Sequence, residues 1–343
     1  MSGGITQLVA IGAQDAHLVG NPEVSFFRST YRRHTNFSQV VDRQIIQGNP
    51  AANGMSTVRF ERKGDMLGYV YFTAKNTAGE SIAIPTTLIK KVELLIGGQV
   101  IDEQDYEFSE NIADNLLVSS QGKVGNPRSY FYALHFFFCE NWQSALPLIA
   151  LQYHDVELRI TWGSSLGAAS QIECHACYAY LDTQERQAMA NEQQNMLITQ
   201  TQKISKAGAG ARVQEMNLNH PVKFLAASSN LVTSHLSSTL KLQLNGSDVS
   251  NPKPYTPHFN FVPFYHHCPF QVGAPFNTGT GFLYPFCLET NKLQPTGTLN
   301  FSRLDSARFV TEDAAGFNNA DIYAVNYNIL RIQNGMGGLM YAN

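Results

Sequence analysis

The 343 residues include 43% apolar side chains but only 15% charged ones, against about a quarter in an average domain. The chain's 24 Lys and Arg are balanced by 27 Asp and Glu, for a formal charge of −3, which excludes the strongly basic composition usual in proteins that package nucleic acid. The length suits one large or two ordinary domains, and so weakly charged a surface gives copies little reason to repel one another.

The opening Met1 to Leu8 shows no basic stretch leading into an apolar one, and no run approaches the roughly 18–20 apolar residues that span a bilayer. Synthesis in a reducing cytosol is therefore expected. Residues 1–35 read as an arm. Asn21-Pro22-Glu23 has the order of a helix start, and Val24, Phe27 and Tyr31 share a face at helical spacing, widened by Phe26 and Thr30. The expected helix ends by Thr35. Arg28, Arg32, Arg33 and His34 form the nearest approach to a basic patch, diluted by Asp15, Glu23 and Asp42, so no direct contact with nucleic acid is expected.

The rhythm then becomes period two. Val58 and Phe60 alternate with Arg59 and Glu61, and the mixed run from Leu67 to Phe72 reads as a strand buried on both faces. Gly97-Gly98 between Val92–Ile96 and Gln99–Asp102 is a hairpin signal. Val156, Leu158, Ile160 and Trp162 give the cleanest alternation, and Ile172, Cys174, Ala176, Tyr178 and Tyr180 another face. The polar stretch Asp182–Asn195 reads as a linker with at most a turn or two of helix. Strand patterns resume at Leu197–Ile204, Val213–Asn217, Val222–Ala226 and Leu240–Asn245, and close with Ile322–Ile332. Pro285 demotes the run Phe282–Glu289 to an edge or bulged strand. Many short strands around a polar break indicate an all-β chain in two halves, and no repeat of 20–50 residues suggests a propeller or solenoid.

Candidate chemistry is sparse. Cys174-His175-Ala176-Cys177 has metal or thiol-exchange spacing, but its flanks read as strand, where positions three apart face opposite ways. The other cysteines, Cys139, Cys268 and Cys287, show no disulfide framework. His266-His267 are read as neighbours on a strand, unable to share one ion, and His220, His235 and His258 lack metal spacing. Gly208 and Gly210 do not make a dinucleotide loop, and no phosphate loop, nucleophile elbow or zinc-protease motif occurs. Asp102, Glu103 and Asp105 read as a solvated edge beside the hairpin. The sequons at Asn36, Asn245 and Asn300 read as chance or as structural turns. No catalytic, cofactor-binding or metal site is expected, and the chain is not expected to be an enzyme. The aromatic stretch His258–His267 is the one feature that suits a carbohydrate-binding or carbohydrate-cleaving β-sandwich.

Four segments go further. Gly3–Asp15 continuing into Ser25–Ser38, then Leu146–Leu158, Gln294–Asp305, and Tyr323–Ile332 through Gly335–Leu339 together resemble the major capsid proteins of nucleocytoplasmic large DNA viruses, the algal-virus group and its giant relatives. The resemblance runs from end to end. It implies two tandem eight-stranded jelly-roll sandwiches, with an arm at 1–35, a first jelly roll at 36–185, a linker at 186–196 and a second jelly roll at 197–343. It implies a homotrimer, because three chains of two similar domains make a nearly hexagonal capsomer that can tile an icosahedral shell. Minor capsid proteins beneath the shell, an inner membrane touched only indirectly, and assembly in the host cytoplasm are further implications. Relatives are commonly longer, with large outer loops. A minor capsid or fibre-type sandwich that binds carbohydrate is the alternative.

Overall fold

The computed structural model describes residues 2–10, 12–84, 88–117, 130–167, 169–208, 210–268, 279–318 and 320–342. The chain divides into two compact units, Met1–Asn36 and Phe37–Asn343.

The first unit contains α1 (Ser2–Val9), a 3-10 turn (Ala13–Asp15) and α2 (Ala16–Val19). The helix expected over 22–35 does not form. Asn21 takes a φ of 53°, a left-handed conformation rather than the extended one an N-cap needs. Val24, Phe26, Phe27, Thr30 and Tyr31 are also poor helix formers, and a short helix without a packed face is marginal in water.

The second unit begins with β1 (Phe37–Gln44), β2 (Ile46–Gln47), β3 (Met55–Arg59), β4 (Met66–Lys75), β5 (Ser81–Ile82), β6 (Ile89–Ile96) and β7 (Gln99–Asp105). A π-helical stretch, Phe108–Ala113, runs into α3 (Asp114–Leu116). There follow β8 (Phe131–Ala133), α4 (Phe137–Glu140), β9 (Leu146–Pro147), β10 (Val156–Trp162) and β11 (Gln171–Leu181). One sheet has the order β1-β11-β4-β5, with β8 and β9 also on β4, and the facing sheet has the order β2-β3-β10-β6-β7. The last strand, β11, lies between β1 and β4, the jelly-roll arrangement.

Period-two burial explains the first sandwich. Val156, Leu158, Ile160 and Trp162 of β10 point inward to meet Leu67, Val70 and Phe72 of β4. The polar atoms taken inside find partners: the Trp162 indole N–H donates to Ser56 Oγ at 2.8 Å, and Tyr178 O–H donates to Gln44 Oε1 at 3.0 Å. The expectation that β4 is buried on both faces needs correcting. Tyr69 is exposed and Tyr71 half-buried, so the strand keeps one outward face. Gly97 and Gly98, at φ 58° and 82°, make the β6–β7 turn as expected.

The polar stretch expected as a linker is helical as α5 (Thr183–Asn191), capped by Asp182, whose side chain accepts from Thr183 N–H at 2.7 Å. Strand structure is already present at Gln194. The second sandwich comprises β12 (Gln194–Ile204), β13 (Val213–Glu215), β14 (Pro221–Ala227), β15 (Thr239–Leu244), β16 (Ser247–Asp248) and β17 (Lys253–Pro254). It continues through α6 (Tyr255–His258), α7 (Phe261–His267), β18 (Phe282–Pro285), β19 (Leu299–Asn300), β20 (Ala307–Thr311), β21 (Ile322–Gln333) and β22 (Met336–Leu339). Its sheets have the orders β12-β21-β14-β18 and β13-β20-β15-β16. Pro285 closes β18 at the sheet edge, where a missing N–H costs no ladder bond. The two jelly rolls therefore share one strand order, and each encloses its own core, the second built on Val222, Leu225, Leu240, Leu242, Phe282 and Phe309.

Candidate assembly interface

The residues singled out for possible chemistry are dispersed. Cys174 lies in the first core, while Cys177 projects to the outer side of the same strand beside Tyr69. Burial pushes both thiols up, Cys174 to about 12, which leaves them protonated and unreactive. Among the described residues no three His, Cys, Asp or Glu side chains gather as a metal site. His266 and His267 end helix α7 rather than sitting on a strand, because the aromatic run folds as two short helices. Asn245 occupies the turn between β15 and β16, accepting from Asp305 and Ser306 N–H, and Asn300 caps a 3-10 turn by accepting from Ser302 N–H at 3.0 Å. Gly208 and Gly210 flank a position outside the described residues.

Sequence reasoning missed the contact between the jelly rolls. Asp102, read as part of a solvated edge, is buried where β7 meets β12. Its carboxylate accepts from Thr201 N–H at 2.8 Å, Glu103 N–H at 2.9 Å and the Gln104 amide at 3.0 Å. Burial raises its pKa to about 7 despite these three donors. Gln200 donates its amide to the Ile101 carbonyl. Asp105 accepts from Lys203 at 2.8 Å and from Tyr323 O–H at 2.7 Å, and Lys203 also meets Asp321 at 2.9 Å. Only Glu103 of the acidic trio keeps the exposed position expected of it.

A third apolar core lies beside this polar seam. The helical segment 108–116 drives Phe108, Ile112, Ala113 and Leu116 against Phe224, Ala226, Leu283, Tyr323 and Val325, on the outward face of β14, β18 and β21. Burying a large apolar side chain is worth about 1.5–3 kcal/mol, so this contact fastens the two jelly rolls firmly. The β21–β22 hairpin adds a clamp: Tyr153 N–H donates to Gly335 O at 2.9 Å, and His154 Nδ1 lies 2.9 Å from Gly337 O. Gly337 lets the hairpin approach closely, since a Cβ there would press on Leu151 Cδ2 at 2.7 Å. Phe108, Ile112 and Leu116 at i, i+4 and i+8 were a readable helical signal. Their partners over a hundred residues away were not.

Among the described residues of the jelly-roll unit, two apolar surfaces are exposed in the single chain. On the outward face of β4 and β11, Tyr69, Tyr71, Phe131, Trp142 and His175 form a run of touching rings with centroids 5.1–6.3 Å apart. On α7, Tyr265 is 84% exposed, and Phe261 and Val262 are also exposed.

A double jelly roll with a fused interior and bare apolar flanks has the build of a self-assembling block. Residues 25–197 match the model of the major capsid protein N-terminus, and residues 227–338 match that of the large eukaryotic DNA virus major capsid protein. The chain belongs to the major capsid protein family of large eukaryotic DNA viruses. The major capsid protein of Pyramimonas orientalis virus is 35% identical and that of Paramecium bursaria Chlorella virus 1 is 31% identical, each aligned over the whole of both chains. A solved chain from the PBCV-1 virus capsid superposes with a TM-score of 0.74 at 27% identity, covering 93% of this chain and all of that one. The Faustovirus major capsid protein shares the fold at a TM-score of 0.64 and 10% identity, covering 94% of each chain. As a capsid protein the chain is structural and not an enzyme.

Proposed function

We propose that this capsid protein is the repeating block of an icosahedral shell, acting as a homotrimer that presents six jelly rolls around one axis. The supporting observation is internal: two jelly rolls of the same strand order are fused in one chain by a third core and a buried polar seam. Three such chains form a near-hexagonal outline, and a head-to-tail contact closes a three-fold ring. On this reading the arm at 1–35 engages neighbouring capsomers or minor capsid proteins beneath the shell, and the bodies at 36–185 and 197–343, joined through 186–196, are the two wall units. The chain is made and assembled in the host cytoplasm, takes no cofactor, touches no nucleic acid directly and meets an inner membrane only through other proteins.

Sedimentation of the purified full chain tests this. A species of about three chain masses at micromolar concentration is expected, because obligate interfaces commonly bury over about 2,000 Å². A single-chain mass at every concentration up to that range would overturn the trimer.

A further inference from the structure

The two jelly rolls repeat more than their strand order. In each, the strand at the third position carries one extra residue against its long neighbour: the pairing shifts between Ala176 and Tyr178 opposite β4, and between Val222 and Phe224 on β14. Each also has a helical connection leading back to the sheet that holds this strand, 108–116 after β7 and α6–α7 after β17. Each connection lies beside the next strand of its own jelly roll: Tyr106 stacks on Tyr132 of β8 at 6.0 Å, and Leu283 N–H of β18 donates to Phe259 O at 3.0 Å.

Among the described residues, only one of the two equivalent contacts is made inside the chain. The first connection covers the outward face of the second jelly roll, on β14, β18 and β21. The corresponding outward face of the first jelly roll, on β4, β8 and β11, is the uncovered run of Tyr69, Tyr71, Phe131 and His175 with Trp142 beside it. The second connection buries Pro263 and Phe264 but leaves Phe261, Val262 and Tyr265 outside. Among the described residues, one exposed helix and one exposed face thus remain, of the two kinds that meet within the chain.

We infer that α7 of one chain seats on the β4–β8–β11 face of a second copy, repeating between chains the contact that segment 108–116 makes within one. This rests on the trimer reading and supplies its contact. The helix and the face are different surfaces, so the junction is head-to-tail and closes as a ring instead of pairing two copies back to back. Each junction inside or between chains then has one helical connection and one aromatic or apolar sheet face, which gives a three-chain ring six similar joints. Apolar and aromatic side chains dominate the stability of such contacts.

The test uses the full chain with two variants, one on each surface: Val262→Asp with Tyr265→Asp on the helix, and Tyr71→Asp on the face. Near-ultraviolet circular dichroism checks that each is folded, and sedimentation reads its mass. The wild type is expected at three chain masses and each variant at one. An equimolar mixture of the two variants is expected at two chain masses, because one intact helix can still meet one intact face but the ring cannot close. Should Tyr71→Asp fail to fold, Trp142→Asp replaces it, since Trp142 is 49% exposed. Either folded variant retaining three chain masses, or a mixture that stays at one, overturns the inference while leaving the trimer standing. A wild type at one chain mass overturns the trimer and this contact together.

Discussion

Asp102 and His135 are joined through one amide, since Gln104 Nε2 donates both to Asp102 at 3.0 Å and to the His135 carbonyl at 2.8 Å. Burial alone would push His135 down, but Glu140 at 2.6 Å and Asp114 at 3.3 Å reverse it, to about 9. An unfolded histidine titrates at about 6.5, so the stability this cluster contributes is present below that pH and lost as pH rises through 9. Asp102 runs the same way. Its folded value of about 7 exceeds the unfolded ~3.9, so the unfolded state releases its proton first and rising pH destabilises up to about 7. Lys223, held down to about 8 by burial, opposes the His135 effect only above that pH. Stability should therefore fall between pH 6 and 8, with about 2 kcal/mol of the loss from His135. Replacing His135 with Gln should cost about 1–3 kcal/mol at pH 6 by removing its charged hydrogen bonds to Glu140 and Asp114, and should flatten the fall. Calorimetry across that range checks it, and an unchanged slope in the variant would remove His135 from the account.

At the scale of elements, the β6–β7 turn separates two requirements that look alike in sequence. Gly97 and Gly98 both hold positive φ, but a Cβ on Gly97 would lie 2.4 Å from the His154 ring, whereas Gly98 faces open space. Gly98→Ala should cost about 1–2 kcal/mol, the left-handed penalty alone. Gly97→Ala should cost about 1–3 kcal/mol more for overpacking, because His154 also holds the C-terminal hairpin through Gly337. Denaturant midpoints compare the two, and equal losses would show that His154 yields freely. The turn itself was legible from two glycines between apolar runs, as was β10 from its alternation and β21 from its run of Tyr, Val and Ile. The helix over 22–35 was misread because cap residues and spacing say nothing about whether a face finds a partner. Asp102 was misread for the converse reason. Its hydrogen-bonding partner, Thr201, is 99 positions away, and no local pattern marks a carboxylate that another jelly roll will cover.

For the whole molecule, the unanswered part of the design is the arm. Leu8, Leu18, Val24 and Tyr31 are all exposed, and Phe26 and Phe27 are 96% and 99% exposed. Large apolar side chains gathered on a surface usually mark a contact yet to be made. Arg28, Arg32 and Arg33 stand among them, ready to pair with carboxylates of a partner. Both jelly-roll cores and the core between them are built from residues beyond Asn36. Deleting residues 2–34 should accordingly leave a soluble chain with unchanged near-ultraviolet dichroism, a thermal midpoint within a few degrees of the full chain and the same three-chain mass. Those trimers should fail to enter particles when co-expressed with the other shell components if, as proposed, the arm joins one block to the next. An insoluble or unfolded product would instead place the arm's apolar residues within the fold of the single block, and trimers that still enter particles at the wild-type level would leave the arm without a role in docking.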